Sequence, residues 1–200
     1  MSPRVVLLDS GGANLGSVQT AFGRLGVEAP VTSDWNTIRD ATHVVLPGVG
    51  AAAVCMAKLR ENGLDKLVPR LTQPLLGICV GMQLLFERSE ESQTECLGLL
   101  RGEVRLLLSA PGARVPHMGW NRLETIPGAT HPLMGGLSDA SVYFVHSYAA
   151  DPSEDTIARC THGGPFSAVV AKGSVMGAQF HPDRSSAPGA RLLENFLSFS

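Results

Sequence analysis

The chain is expected to fold as a three-layer α/β domain, with a mainly parallel central sheet flanked by helices and additional antiparallel strands in the C-terminal half. Three observations predict this. Over residues 4–91, short apolar runs alternate with segments of helical periodicity, and parallel strands need such crossover connections. From residue 103 onward, strand-like runs follow one another with mainly turns between them, the pattern of antiparallel pairing. The 200 residues are 44% hydrophobic and 17% charged; they can bury a substantial core and contain no linker, so residues 1–200 are read as one domain.

Taken in order, RVVLLD (4–9) reads as a strand buried on both faces. SGGAN (10–14) is a turn, and LGSVQTAFGRLG from Leu15 carries apolar residues at helical spacing. VEAPVT from Val27 and THVVLPGVG from Thr42 read as two further strands, with a short helix between them over Trp35–Asp40. AAAVCMAKLRENGL from Ala51 is a helix whose small residues allow close packing on a sheet. PLLGIC (74–79) is the next strand and VGMQLLFERSEE (80–91) the next helix. In the second half EVRLLL, WNRLETI, SVYFVHSYAA, DTIARCT, FSAVVAK and SVMGAQF are strand-like, and GARLLENFLSF closes the chain as a helix.

The formal charge of −2 comes with no basic block, so nucleic acid is not an expected partner; small molecules or proteins are. Cys55, Cys79, Cys96 and Cys160 include no CxxC pair, which argues against a zinc cage or a dithiol redox motif. Nothing calls for a metal or cofactor, and reduced thiols in the cytoplasm are the expectation. The apolar run before Asp9 is too short for a signal-peptide core or a membrane span.

One cysteine stands apart. In GICVG (77–81) an apolar strand runs through a Gly-x-Cys-x-Gly turn into a helix, the strand-to-helix elbow that exposes hydrolase nucleophiles. Gly77 and Gly81 remove side chains that would obstruct the bend, and the helix N-terminus favours a thiolate. Free cysteines are also among the most buried residue types, so on this stretch alone an inert thiol and a nucleophile stand level. Cys55, Cys96 and Cys160 lack the paired glycines and are read as structural or neutral.

A nucleophilic thiol benefits from a base. His181, in GAQFHPDRS, follows an apolar strand and precedes Pro182, which marks a strand end. Sites of parallel sheets lie at carboxyl ends of strands, where Cys79 and His181 can meet. Asp183 lies two residues on, on the same side if the backbone is extended, placed to accept the imidazole proton. Of the other histidines, His43, His117, His131 and His162 are weaker base candidates, and His146 in FVHSY is read equally as a packing residue or a substrate contact. Full ionisation of a thiol with an ordinary pKa of about 8.5 is worth roughly 30-fold, about 2 kcal/mol. One oxyanion donor is worth roughly 3 to 4 kcal/mol, so backbone donors matter at least as much. The Val80 amide and LPGVG (46–50), with a peptide flip around Val49, are the candidates; a plain tight turn explains those glycines equally.

Together PGVG, GICVGMQLLFE, PHMGWN, YFVHSY and GAQFHPDRS resemble the triad-type (class I) glutamine amidotransferases, whose fold is flavodoxin-like. Within them the chain resembles the glutaminase subunits of imidazole glycerol phosphate synthase along almost its whole length, including DSGGANLGSV near the start. PHMGWN argues against other triad amidotransferases and gamma-glutamyl hydrolase, and the intact Cys, His and acidic set against a non-catalytic flavodoxin-like module. The resemblance implies that Cys79 attacks the side-chain amide of L-glutamine, that His181 transfers protons and that Asp183 orients it. It further implies that Gln83, His146, Ser147 and Tyr148 hold glutamine, and that Val49 and Gly50 complete the oxyanion site. The partner it implies is a separate barrel-shaped cyclase subunit, a heterodimer in which ammonia passes through a channel. PHMGWN, with Met118 and Trp120, is read as part of the docking face because Trp commonly anchors interfaces, and an ordinary buried Trp explains it nearly as well. The departure is Asp183, where the family usually has glutamate; one methylene is missing.

Overall fold

The computed structural model describes residues 3–12 and 14–199. Ala13, within the expected opening turn, lies outside the described residues.

The main sheet has eight strands in the order β2-β1-β3-β4-β14-β13-β12-β9. Its parallel half comprises β1 (Val5–Leu8), β2 (Val31–Thr32), β3 (His43–Gly48), β4 (Leu75–Cys79) and β14 (Val175–Ala178). Every residue of β1, β3 and β4 is buried, which requires cover on both faces of the sheet. The antiparallel half adds β13 (Pro165–Lys172), β12 (Thr156–Thr161) and β9 (Glu124–Thr125). The crossovers carry α1 (Leu15–Arg24), α2 (Trp35–Asp40), α3 (Ala52–Glu61), the short α4 (Leu64–Leu67) and α5 (Val80–Gln83), and α6 (Ser186–Leu197) closes the chain. Two small sheets lie outside this frame: β8 (His117–Arg122) with β10 (Ser141–His146), and β11 (Tyr148–Ala150), β7 (Glu103–Leu106), β5 (Arg88–Ser89) and β6 (Thr94–Glu95). Among the described residues no helix is long and apolar enough to cross a membrane.

The α/β class with an antiparallel C-terminal flank is as expected, and several elements differ. The helix expected over 80–91 is one turn. Leu84, Leu85 and Phe86 are all buried, and their carbonyls accept from Leu97, Gly98, Leu99 and Leu100 of the returning chain instead of continuing a helix. The chain then forms β5 and β6, where no strands were expected. SVMGAQF was grouped with the flanking strands, yet β14 runs parallel to β4 in the middle of the sheet, with Gly177 opposite Gly77. The strand expected from Val27 reduces to β2, and SVYFVHSYAA breaks at Ser147 into strands of two different sheets.

Candidate active site

β4 ends at Cys79, whose φ of +54° and ψ of −114° lie outside the regions a side chain ordinarily allows, a strain of order 1–3 kcal/mol that clusters at functional sites. The bend brings α5 directly onto β3 and β4. A Cβ on Gly77 would stand 2.7 Å from Met82 Cα, one on Gly48 2.5 Å from the Gly81 nitrogen, and one on Gly81 would collide with the Leu46 carbonyl. The glycines around Cys79 are thus sites of backbone contact. Because α5 is a single turn, the dipole expected to favour the thiolate is correspondingly small.

His181 lies three residues beyond β14, the strand paired in register with β4 (Ala178 opposite Ile78), so the two side chains meet at neighbouring carboxyl ends. A buckle to β10 holds His181: its N–H donates to the Tyr143 carbonyl (3.0 Å), Ser185 Oγ donates to its carbonyl (2.7 Å), and the Tyr143 N–H donates to Ser185 Oγ (2.9 Å). Asp183 is not on extended backbone as expected; Pro182–Arg184 is a 3₁₀ turn, and the carboxylate reaches back from it. Its Oδ1 stands 3.6 Å from His181 Nδ1, both side chains being almost wholly buried. Burial opposes charge on His181, but Asp183 and the Cys79 sulfur outweigh it and raise the imidazole to about 9. Burial likewise opposes charge on Asp183, but attraction to the neighbouring His181 imidazole and the hydrogen bond from Asn14 outweigh it and hold the carboxyl below its usual range. His181 Nε2 is buried without a hydrogen-bond partner among the described residues, leaving that nitrogen available for proton transfer.

Cys79 and His181 open onto a cavity of about 490 Å³, also lined by Val49, Gly50, Val80, Gln83, His146, Ser147 and Tyr148. The structure therefore gathers the residues read from the sequence as catalytic, oxyanion-holding or glutamine-binding around one space, with Asp183 behind His181. A polar chain with forced donors leads away from the cavity, starting at His146. His146 Nδ1–H donates to the Tyr148 carbonyl (2.9 Å), so His146 Nε2 accepts from His117 Nδ1–H (3.2 Å). His117 Nε2 in turn accepts from Asn121 (3.3 Å). Burial lowers His146 to about 3 and His117 to about 4, so both are neutral hydrogen-bonding groups, not acids. Gln83 Nε2 donates to the Tyr148 carbonyl (2.8 Å) and to Gln179 Oε1 (3.1 Å), and Gln179 Nε2 approaches the Cys79 sulfur at 3.8 Å.

Beside the cysteine, Gly50 takes a φ of +90°. The Val49 carbonyl accepts from the thiol of Cys55 (3.6 Å), which burial pushes up to about 11. Cys55 is thus a protonated tether for the turn. Asn14, Glu91 and Arg184 also line the cavity and were missed in the sequence. Asn14 falls in the expected turn over 10–14, and Glu91, at the end of an expected helix, sits instead in the β5–β6 connection, its carboxylate accepting from the Ala52 N–H at 2.7 Å.

Residues 6–198 match the family described as glutamine amidotransferase class-I. The chain is 56% identical over 197 residues, covering 98% of each chain, to "Imidazole glycerol phosphate synthase subunit HisH" of Xanthomonas oryzae pv. oryzae (strain MAFF 311018). It is 54% identical over 194 residues, 96% of each, to the protein of the same name from Xylella fastidiosa (strain Temecula1 / ATCC 700964). A crystal structure described as a glutamine amidotransferase superposes with a TM-score of 0.73 at 22% identity, covering 96% of this chain and 97% of that one. PurLQS from Thermotoga maritima superposes at 0.71 with 20% identity and 98% of each chain covered, and both likenesses concern the fold alone. A strained cysteine elbow beside a buried His–Asp pair, on a chain matched to one family through nearly all its length, supports one conclusion: the chain belongs to the class-I glutamine amidotransferases.

Proposed function

We propose that this chain is the glutaminase subunit of imidazole glycerol phosphate synthase, working in the cytoplasm on L-glutamine and passing ammonia to a barrel-shaped cyclase subunit in histidine biosynthesis. The observation that carries the reading is the meeting of Cys79 and His181 at the carboxyl ends of register-paired strands, over one cavity. The Cys79 sulfur attacks the side-chain carboxamide carbon, and its proton resides on His181. The tetrahedral oxyanion is held by the Val80 amide and by the Val49–Gly50 turn. His181 gives its proton to the departing nitrogen, ammonia leaves, and a glutamyl thioester remains. Water loses a proton to His181 and adds to the thioester; glutamate leaves as the sulfur recovers that proton. Asp183 supports the imidazolium that forms twice in this cycle.

Substrate is held by the opposite wall. Both Gln83 amide hydrogens are committed to Tyr148 and Gln179, so its carbonyl oxygen is the group left to accept from the ligand, beside His146, Ser147 and Tyr148. Glu91 supplies a carboxylate for the ammonium group of glutamine. For the cyclase, the ribbon of β8 and β10 offers an anchor: Met118 and Trp120 are 64% and 54% exposed, with Trp120 against Tyr143, and large exposed aromatics of this kind are typical interface hot spots. The test mixes the chain with its cognate cyclase and the nucleotide substrate. Wild type supports product formation from glutamine, while Cys79→Ala supports it from ammonium salt alone. Product from glutamine with the alanine variant, or none with wild type, refutes the reading.

A further inference from the structure

Asn14 occupies the capping position of α1, at φ −93° and ψ 7°, and its side chain makes no capping hydrogen bond. Asparagine is among the strongest capping residues, so this side chain forgoes its ordinary local role. Its amide turns to the triad instead: Nδ2 donates to Asp183 Oδ2 at 3.1 Å and lies 3.4 Å from His181 Nδ1. The carboxylate has little else. Its Oδ1 has no hydrogen-bond partner among the described residues and stands 3.6 Å from His181 Nδ1, longer than the 2.7–3.2 Å of an N–H···O bond. Arg184, 56% exposed, stands 3.9 Å from Oδ2. A carboxylate one methylene short of the family's usual glutamate therefore has, among the described residues, a single side-chain hydrogen bond, the one from Asn14.

We propose that Asn14 is a positioning residue of the glutaminase reaction, anchoring the short Asp183 carboxylate so that it keeps facing His181 Nδ1. This rests on the assignment of Cys79, His181 and Asp183 as the triad. With His181 Nδ1 donating toward Oδ1, Asn14 gives its hydrogen to Oδ2, and the two donors clasp the carboxylate from both sides. Without the amide, Arg184 is the remaining charged group beside Oδ2. The titratable groups facing His181 are Asp183, Cys79 and His146; Asp183 faces Arg184 in addition.

The test uses the complex with the cyclase and reads ammonia release from glutamine. Asn14→Ala is expected to lower kcat about 10- to 100-fold, the scale of a small misplacement of a catalytic group, with KM changed less than about 3-fold. Its melting temperature stays close to wild type because no cap is lost, and the apparent pKa of His181 in the pH–rate profile moves downward. Asn14→Asp, able to cap but placing like charges together, is equally folded and less active still. In an Asp183→Glu background the longer acid bridges the gap, and Asn14→Ala costs less than about 3-fold. Wild-type kcat for Asn14→Ala, or an equal loss in both backgrounds, overturns the proposal, as does a loss of activity that only follows a loss of folding. Ammonia release persisting in Cys79→Ala would instead refute the triad itself, so the two failures are distinguishable.

Discussion

Cys79, His181 and Asp183 differ in how far each could be read from the chain. Cys79 was legible through its two glycines and His181 through the Pro182 that ends its strand, because both signals are local backbone constraints. The 3₁₀ turn that delivers Asp183 and the amide of Asn14 were not legible, since both depend on segments brought together by the sheet. The charge pairing makes a pH prediction. His181 is raised from 6.5 to about 9, so the fold favours its protonated form; that stabilisation is complete below pH 6.5 and is lost as pH rises through 9. Asp183, held low, is ionised throughout that window. The stability difference between wild type and Asp183→Asn, measured by urea unfolding, should therefore be on the order of 1–3 kcal/mol at pH 6.5 and shrink toward pH 10. A difference that stays constant across this range would contradict the pairing.

At the scale of elements, the parallel strands were legible because each is an apolar run between turn residues, a signal that full burial imposes. What was not legible is where runs stop or which neighbour they choose. LLF after Gln83 carries helical propensity, but the chain segment over residues 97–100 captures its carbonyls. β14 carries nothing in its own residues that announces a parallel partner, although Gly177 makes room for Met82, whose Cγ would lie 2.6 Å from a Cβ there. The elbow contacts predict a sharp contrast between glycines. Gly81→Ala forces backbone against the Leu46 carbonyl and should destabilise by at least about 2–3 kcal/mol. Gly23→Ala, in α1 with nothing within 4 Å of the added carbon, should stabilise by about 0.5–1 kcal/mol. Denaturant midpoints check both, and similar shifts for the two would remove the packing explanation.

For the molecule as a whole, the cavity and the exposed ribbon lie on connected elements. His146 ends β10 and lines the cavity, while its partner strand β8 carries His117, hydrogen-bonded to His146, and presents Met118 and Trp120 outward. Trp120→Ala should leave monomer stability within about 0.5 kcal/mol and weaken cyclase binding by about 2–4 kcal/mol, as read by titration calorimetry; unchanged affinity would move the docking face elsewhere.

On the proposed mechanism one of the four thiols is the nucleophile and the other three are inert. Burial raises Cys55 and Cys96 to about 11 and Cys160 to about 12, whereas Cys79 stands beside His181 at the cavity. The direct measurement is peptide mapping by mass spectrometry after exposure of the complex to an electrophilic diazoketone analogue of glutamine. Modification of Cys79 alone, prevented by excess glutamine and slowed in His181→Ala, is the predicted result. Label on Cys55, Cys96 or Cys160 with Cys79 untouched would contradict it.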